Sequence, residues 1–148
     1  MPAVRDILAH KPSTTVHSIA AASSCLDAVK KMSQHRIGSL VVTDADGALA
    51  GIVTERDILW HVAAHPADLA AVPVGDMMTR EVIVCAPEDD LNTIRSIFRT
   101  RYVRQVPVVG EDGGLLGIIS IGDVNAFQVT ESETTIRFMK DYIRGNVR

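Results

Sequence analysis

The chain has 148 residues, 47% of them apolar and 22% charged, and carries a formal net charge of −3. That balance suits one compact α/β core and excludes both a disordered segment and the basic footprint of a binder of nucleic acid or anionic membrane. No apolar run approaches the roughly 18 residues of a membrane span, and MPAVRDILAHKPS is no signal peptide, so a soluble cytoplasmic protein is expected.

In chain order, a short apolar leader, VRDIL at 4–8, precedes a strand candidate at Val16–Ile19. Ser24-Cys-Leu-Asp27 then sets a hydroxyl three residues before a carboxylate, a helix-start signal, and Ala28, Val29 and Met32 supply the apolar face behind it. Ser39–Thr43 and Leu49–Val53 read as strands about Asp46-Gly47, a dipeptide that favours a tight hairpin turn. A helix follows and stops near His65-Pro66. The pattern then returns: VGDMM at 74–78, a strand candidate at Val82–Cys85, and a helix face of Leu91, Ile94 and Phe98. Strands at Gln105–Val109 and Leu115–Ile119 flank Asp112-Gly113, and another helix follows. Thr130-Glu-Ser-Glu133 is a capping-box pattern that predicts a separate C-terminal helix with Ile136, Met139 and Ile143 on one face and Gly145 as its stop.

The return is an internal repeat. Residues 37–59 lie on 103–125 without a gap at an offset of 66, with seven of 23 columns identical. The leaders VRDIL and VGDMM are offset by 70, so the first copy carries four extra residues there. The expected fold is two β-α-β-β-α repeats, at 1–66 and 67–128, packed through their sheets with pseudo-two-fold symmetry, followed by a C-terminal helix at 129–148. Cys25 and Cys85 lie in different repeats without metal-ligand spacing and are expected to be small buried residues.

The repeated chemistry is a hydroxyl and a carboxylate three residues apart at the end of an apolar strand: Thr54 with Asp57 in GIVTERDI, and Ser120 with Asp123 in GIISIGDV. Helix capping alone accounts for such a pair. A ligand site accounts for it too. The free N–H groups of the helix start suit a phosphate, and an ionised aspartate accepts the two adjacent hydroxyls of a ribose.

The hairpin followed by G-h-h-[ST]-x-x-D, present twice in register, resembles the CBS domain family in its tandem form, and the likeness runs from Val4 to about Phe127. The closing SIGDV followed by IRFMKDYIRG is similar to the small stand-alone bacterial members. The resemblance implies a regulatory module that binds adenosine-containing ligands (AMP, ATP or NAD among them) between the repeats, without catalysis. It implies that Thr54 with Asp57, and Ser120 with Asp123, hold ribose, and that the surroundings of Val16, Val82, Ile37 and Val103 sandwich adenine. His35, Arg36, Arg101 and Arg104 would meet phosphate, joined by Arg56 in copy one, whereas Gly122 in copy two leaves room and backbone N–H groups. It also implies a homodimer, with Leu59, Trp60, Val62 and the C-terminal helix as contacts. The alternative is a constitutive interaction or scaffold subunit with vestigial clefts. His61 and His65 are spaced for a metal but lack a third ligand, and no nucleophile-base order or P-loop is present.

Overall fold

The computed structural model describes residues 2–13, 15–66 and 68–145. The chain runs α1 (Val4–His10), β1 (Ser18–Ala20), α2 (Cys25–His35), β2 (Ser39–Thr43), β3 (Leu49–Thr54) and α3 (Glu55–Ala64). Two 3-10 turns, Leu69–Ala71 and Val74–Asp76, lead to α4 (Leu91–Arg101), β4 (Gln105–Val109), β5 (Leu115–Ser120) and α5 (Ile121–Ile143).

The two hairpins are superposable in register. Leu40 faces Val53 across β2 and β3, and Val106 faces Ile119 across β4 and β5, with the ladder slipping at Val42/Thr43 and Val108/Val109. Gly47 and Gly113 turn the chain at φ +80° and +81°, the left-handed region that a side chain disfavours. The connection is not the tightest possible. Gly47 N–H donates to Asp44 and Asp44 N–H donates to Ala48, which makes a five-residue loop over 44–48. Ser39 and Gln105, equivalent positions 66 residues apart, hydrogen-bond through their side chains and mark where the halves meet.

The first strand survives in one copy only. β1 pairs in parallel with β2, Ser18 to Val41 through Ala20 to Thr43, whereas Val82–Cys85 forms no strand and keeps a single bridge, Cys85 to Val108. The cause lies in two prolines. In copy one, Val41 N–H donates to His17 and Ala21 N–H donates to Thr43. The equivalent positions in copy two are Pro107 and Pro87, which have no N–H to give.

Two cores form, and they do not follow the division at 66/67. Val4 and Ile7 of the N-terminal leader are buried with Cys85, Leu91, Ile94, Val106, Val108 and Ile119 of the second half. Val74, Met77 and Met78 pack with Ile19, Cys25, Met32, Leu40 and Val53 of the first. The exchange is pairwise and symmetric: Val4 N–H donates to Asp89 as Val74 N–H donates to Ser23, and Ala3 bridges Asp90 as Pro73 bridges Ser24. Gly51 and Gly117 are the seats for the exchanged leaders. A Cβ on Gly51 would stand 2.6 Å from the Thr79 carbonyl and 2.7 Å from Met78 Sδ, and one on Gly117 would stand 2.8 Å from Leu8 Cδ2.

The expected break before a separate C-terminal helix does not occur; α5 is one helix of 23 residues. No proline or glycine interrupts it after Gly122, and the Thr130 hydroxyl donates back to Ala126 instead of capping forward. Its second half leaves the core, with Ile136 and Met139 half-exposed and Ile143 four-fifths exposed. Among the described residues no helix is long and apolar enough to cross a membrane. Cys25 and Cys85 are both free and buried, as expected from their spacing.

Candidate ligand-binding clefts

Each hairpin ends in a corner where strand becomes helix without an intervening loop. Thr54 has extended backbone (φ −116°) and caps α3; Ser120 (φ −104°) caps α5. Both corners close a reciprocal pair of bonds. Asp57 N–H donates to Thr54 Oγ1 at 3.2 Å and Thr54 N–H to Asp57 Oδ2 at 2.9 Å; Asp123 N–H donates to Ser120 Oγ at 3.0 Å and Ser120 N–H to Asp123 Oδ2 at 2.8 Å. Capping therefore uses one carboxylate oxygen. Among the described residues, Oδ1 of each aspartate accepts no hydrogen bond, so a cap and a ligand contact are compatible without the outward turn that a choice between them would require.

The crossing of the chain assigns the surroundings of each corner. Ile52 and Thr79 exchange backbone bonds of 3.0 and 2.9 Å, and Cys85 is bonded to Pro107 and Val109, so the run containing Val82 passes from β3 of the first half to β4 of the second. The run containing Val16 passes the other way: Lys11 Nζ donates to the Ile118 carbonyl at 2.8 Å, and His17 accepts from Val41 in β2. Each run thus bridges the halves beside one corner. Ile121 N–H donates to the Arg104 carbonyl at 3.1 Å, which places Arg104 with Ser120 and Asp123; Gly38 holds the same place for Glu55 N–H at 2.9 Å.

The remaining predicted residues are less uniform. Ile37 and Val103 are half-buried after their helices, while His35, Arg36, Arg101 and Arg104 are exposed. Arg36 and Tyr102 are the two left-handed residues that end α2 and α4, at φ +53° and +54°. The His35 ring stacks on His17 at 4.1 Å, and His17 titrates below its usual range through burial and then through His35 and Lys31. Arg56 lies 5.9 Å over the Trp60 ring on the outer face of α3, and Gly122 is exposed in the first turn of α5. Arg36 and Ile37 also line an open groove of about 630 Å³ between α2 and α3, with Glu55 and Ile58 on its other wall. Among the described residues no cluster suits a metal ion; His61 and His65 lie 5.5 Å apart, ring to ring, with no third ligand.

Sequence reasoning missed Lys11. Its ammonium stands 3.0 Å from Asp123 Oδ2 as well as on Ile118, and both side chains of the pair are largely buried. Asp57 has no ion pair among the described residues. The available signal was the four-residue excess in the first leader, the stretch in which Lys11 lies.

Two α-β-β-α halves, the first with an added parallel strand β1, joined by exchanged leaders and carrying paired strand-to-helix corners, define a tandem-repeat module with two equivalent candidate clefts. The CBS domain family model matches residues 4–64 and 74–129, and the chain belongs to that family. It is 37% identical over 123 residues to the mitochondrial CBS domain-containing protein CBSX3 of Arabidopsis thaliana, covering 80% of this chain and 59% of that protein's length. The crystal structure of a CBS-domain containing protein from Agrobacterium tumefaciens is 36% identical, with TM-score 0.79 over 85% of this chain and 98% of that one. A CBS domain protein from Pyrobaculum aerophilum, complexed with AMP, is 25% identical with TM-score 0.74, over 82% of this chain and 89% of that one.

Proposed function

We propose that this chain is a non-catalytic regulatory module of the cytoplasm that binds adenosine-containing ligands, AMP, ATP or NAD, in two clefts between its halves. One observation carries the reading: both strand-to-helix corners are already capped through Oδ2, and each keeps a carboxylate oxygen free for a ribose hydroxyl. Thr54 with Asp57 and Ser120 with Asp123 bind the sugar. Adenine lies against the runs of Val16 and Val82 and the half-buried Ile37 and Val103. His35, Arg36 and Arg56 serve phosphate in the first half, and Arg101, Arg104 and the backbone at Gly122 serve it in the second. The AMP bound by the Pyrobaculum protein supports this ligand class. The response is linkage: a ligand shifts the halves, or the assembly, only by its preference for one arrangement over another. The assembly is a homodimer through α3 and α5, whose Leu59, Trp60 and Met139 are more than half exposed.

Asp57→Asn and Asp123→Asn test the site directly. An asparagine oxygen still accepts the capping N–H, so ligand-free Asp57→Asn loses less than about 1 kcal/mol, whereas Asp123→Asn loses more because Lys11 is left without its carboxylate partner. The charged acceptor is gone, and affinity for AMP falls about tenfold at that cleft. Calorimetry beside urea unfolding reads both quantities. Unchanged affinity with unchanged stability would leave the corners as caps only, and a thermal-shift panel silent to every adenosine compound would favour a scaffold subunit.

A further inference from the structure

The two corners are equivalent in backbone and in capping, but not in what holds the aspartate. Among the described residues Asp57 meets only the Thr54 N–H. Asp123 Oδ2 takes the Ser120 N–H and also the Lys11 ammonium at 3.0 Å. Lys11 is fixed by a second bond, 2.8 Å to the Ile118 carbonyl one strand residue before the buried Ile119, and its side chain is only 17% exposed. The leader that carries it is anchored: α1 is buried through Val4 and Ile7, and Lys11 N–H closes the helix on Ile7 at 3.2 Å. This is a held contact between the anchored leader and the corner, and among the described residues the first half has no counterpart. Seven residues separate the leader VRDIL from Val16 in copy one, and three separate VGDMM from Val82 in copy two.

The geometry points to Lys11 as a built-in competitor for the second cleft, a specificity-determining residue that makes the two clefts bind in order. This rests on the ribose reading of the corners. A ribose hydroxyl approaching Asp123 meets a carboxylate whose charge is already neutralised by an ammonium within hydrogen-bond distance, so its own bond gains less there than at Asp57. A second hydroxyl that turns to Oδ2 must also displace the ammonium, leaving it partly buried on one carbonyl at a further cost. A neutral adenosine ligand therefore fills the first cleft before the second.

Adenosine is the probe, because it has no phosphate to draw the ammonium elsewhere. The protein is small enough for amide NMR to follow Arg56 and Gly122 as separate reporters of the two corners during one titration. In Lys11→Met the Gly122 affinity rises about tenfold, the worth of one charge-assisted contact discounted for partial exposure, while the Arg56 affinity stays at the parent value. Lys11→Arg keeps the charge and keeps the parent order. Second-cleft affinity that is unchanged or lower in Lys11→Met, or raised equally in Lys11→Arg, overturns the competitor while binding at Arg56 still upholds the ribose reading. Adenosine that moves neither reporter in any variant overturns both.

Discussion

Replacing Gly51 with alanine should be far more damaging than the same change at Gly117, although the two are equivalent in the repeat. Neither glycine has positive φ, so alanine fits both backbones and each variant gains about 0.5–1 kcal/mol by restricting the unfolded chain. The difference lies in what the new methyl meets. At Gly51 it would stand 2.6 Å from the carbonyl of Thr79, which accepts from Ile52 N–H at 3.0 Å while Thr79 N–H donates back to Ile52 at 2.9 Å. Separating the strands weakens both bonds, at about 1 kcal/mol each, and overpacking against Met78 adds about 1–3 kcal/mol. The expected net loss is about 2–4 kcal/mol. At Gly117 the close atom is Leu8 Cδ2 at 2.8 Å, and the next are 3.6 and 3.8 Å away, all on one flexible side chain. A rotamer change relieves the clash at about 1 kcal/mol, which the unfolded-state gain largely offsets, so Gly117→Ala should stay within about 1 kcal/mol of the parent. Urea unfolding of the two variants measures the contrast. If Gly117→Ala loses as much as Gly51→Ala, the account of how the exchanged leaders are seated is mistaken.

The buried Cys85 thiol is pushed up to about 12 by burial and then by Asp89, so the folded state holds its proton more tightly than the unfolded chain. Its contribution to stability is complete below about pH 9 and is lost as pH rises from there toward 12. Native protein at pH 8 should leave Cys85 unlabelled by a thiol reagent until denaturant is added; rapid native labelling would contradict its burial. The protein should sediment at twice the 16.0 kDa chain mass, and Trp60→Glu with Met139→Glu should return it to one chain. A parent that stays monomeric at micromolar concentration would rule out pairing through α3 and α5.

The local features were legible because local chemistry specifies them. The hairpins at Ser39–Thr54 and Gln105–Ser120 follow from alternating apolar runs about an Asp-Gly pair, and the corners follow from a hydroxyl three residues before an aspartate. An offset of 66 kept over two such units was enough to expect two equivalent halves. Tertiary structure decided the rest. Val82–Cys85 has strand composition, but a strand needs donors opposite it, and only the folded pairing shows that the N–H groups of Val41 and Ala21, replaced by Pro107 and Pro87 in the second half, are ones the ladder uses. Thr130 to Glu133 has the residues of a capping box, yet a helix already running from Ile121 passes through it, because a cap pattern starts a helix only where the chain is not already helical. Most consequential is the exchange that buries Val4 and Ile7 in the second core and brings Lys11 to Asp123. A repeat is blind to it. Leaders packed on their own halves and leaders crossed between halves share one pattern of apolar residues, and only the direction in which the chain crosses the pseudo-two-fold axis distinguishes them.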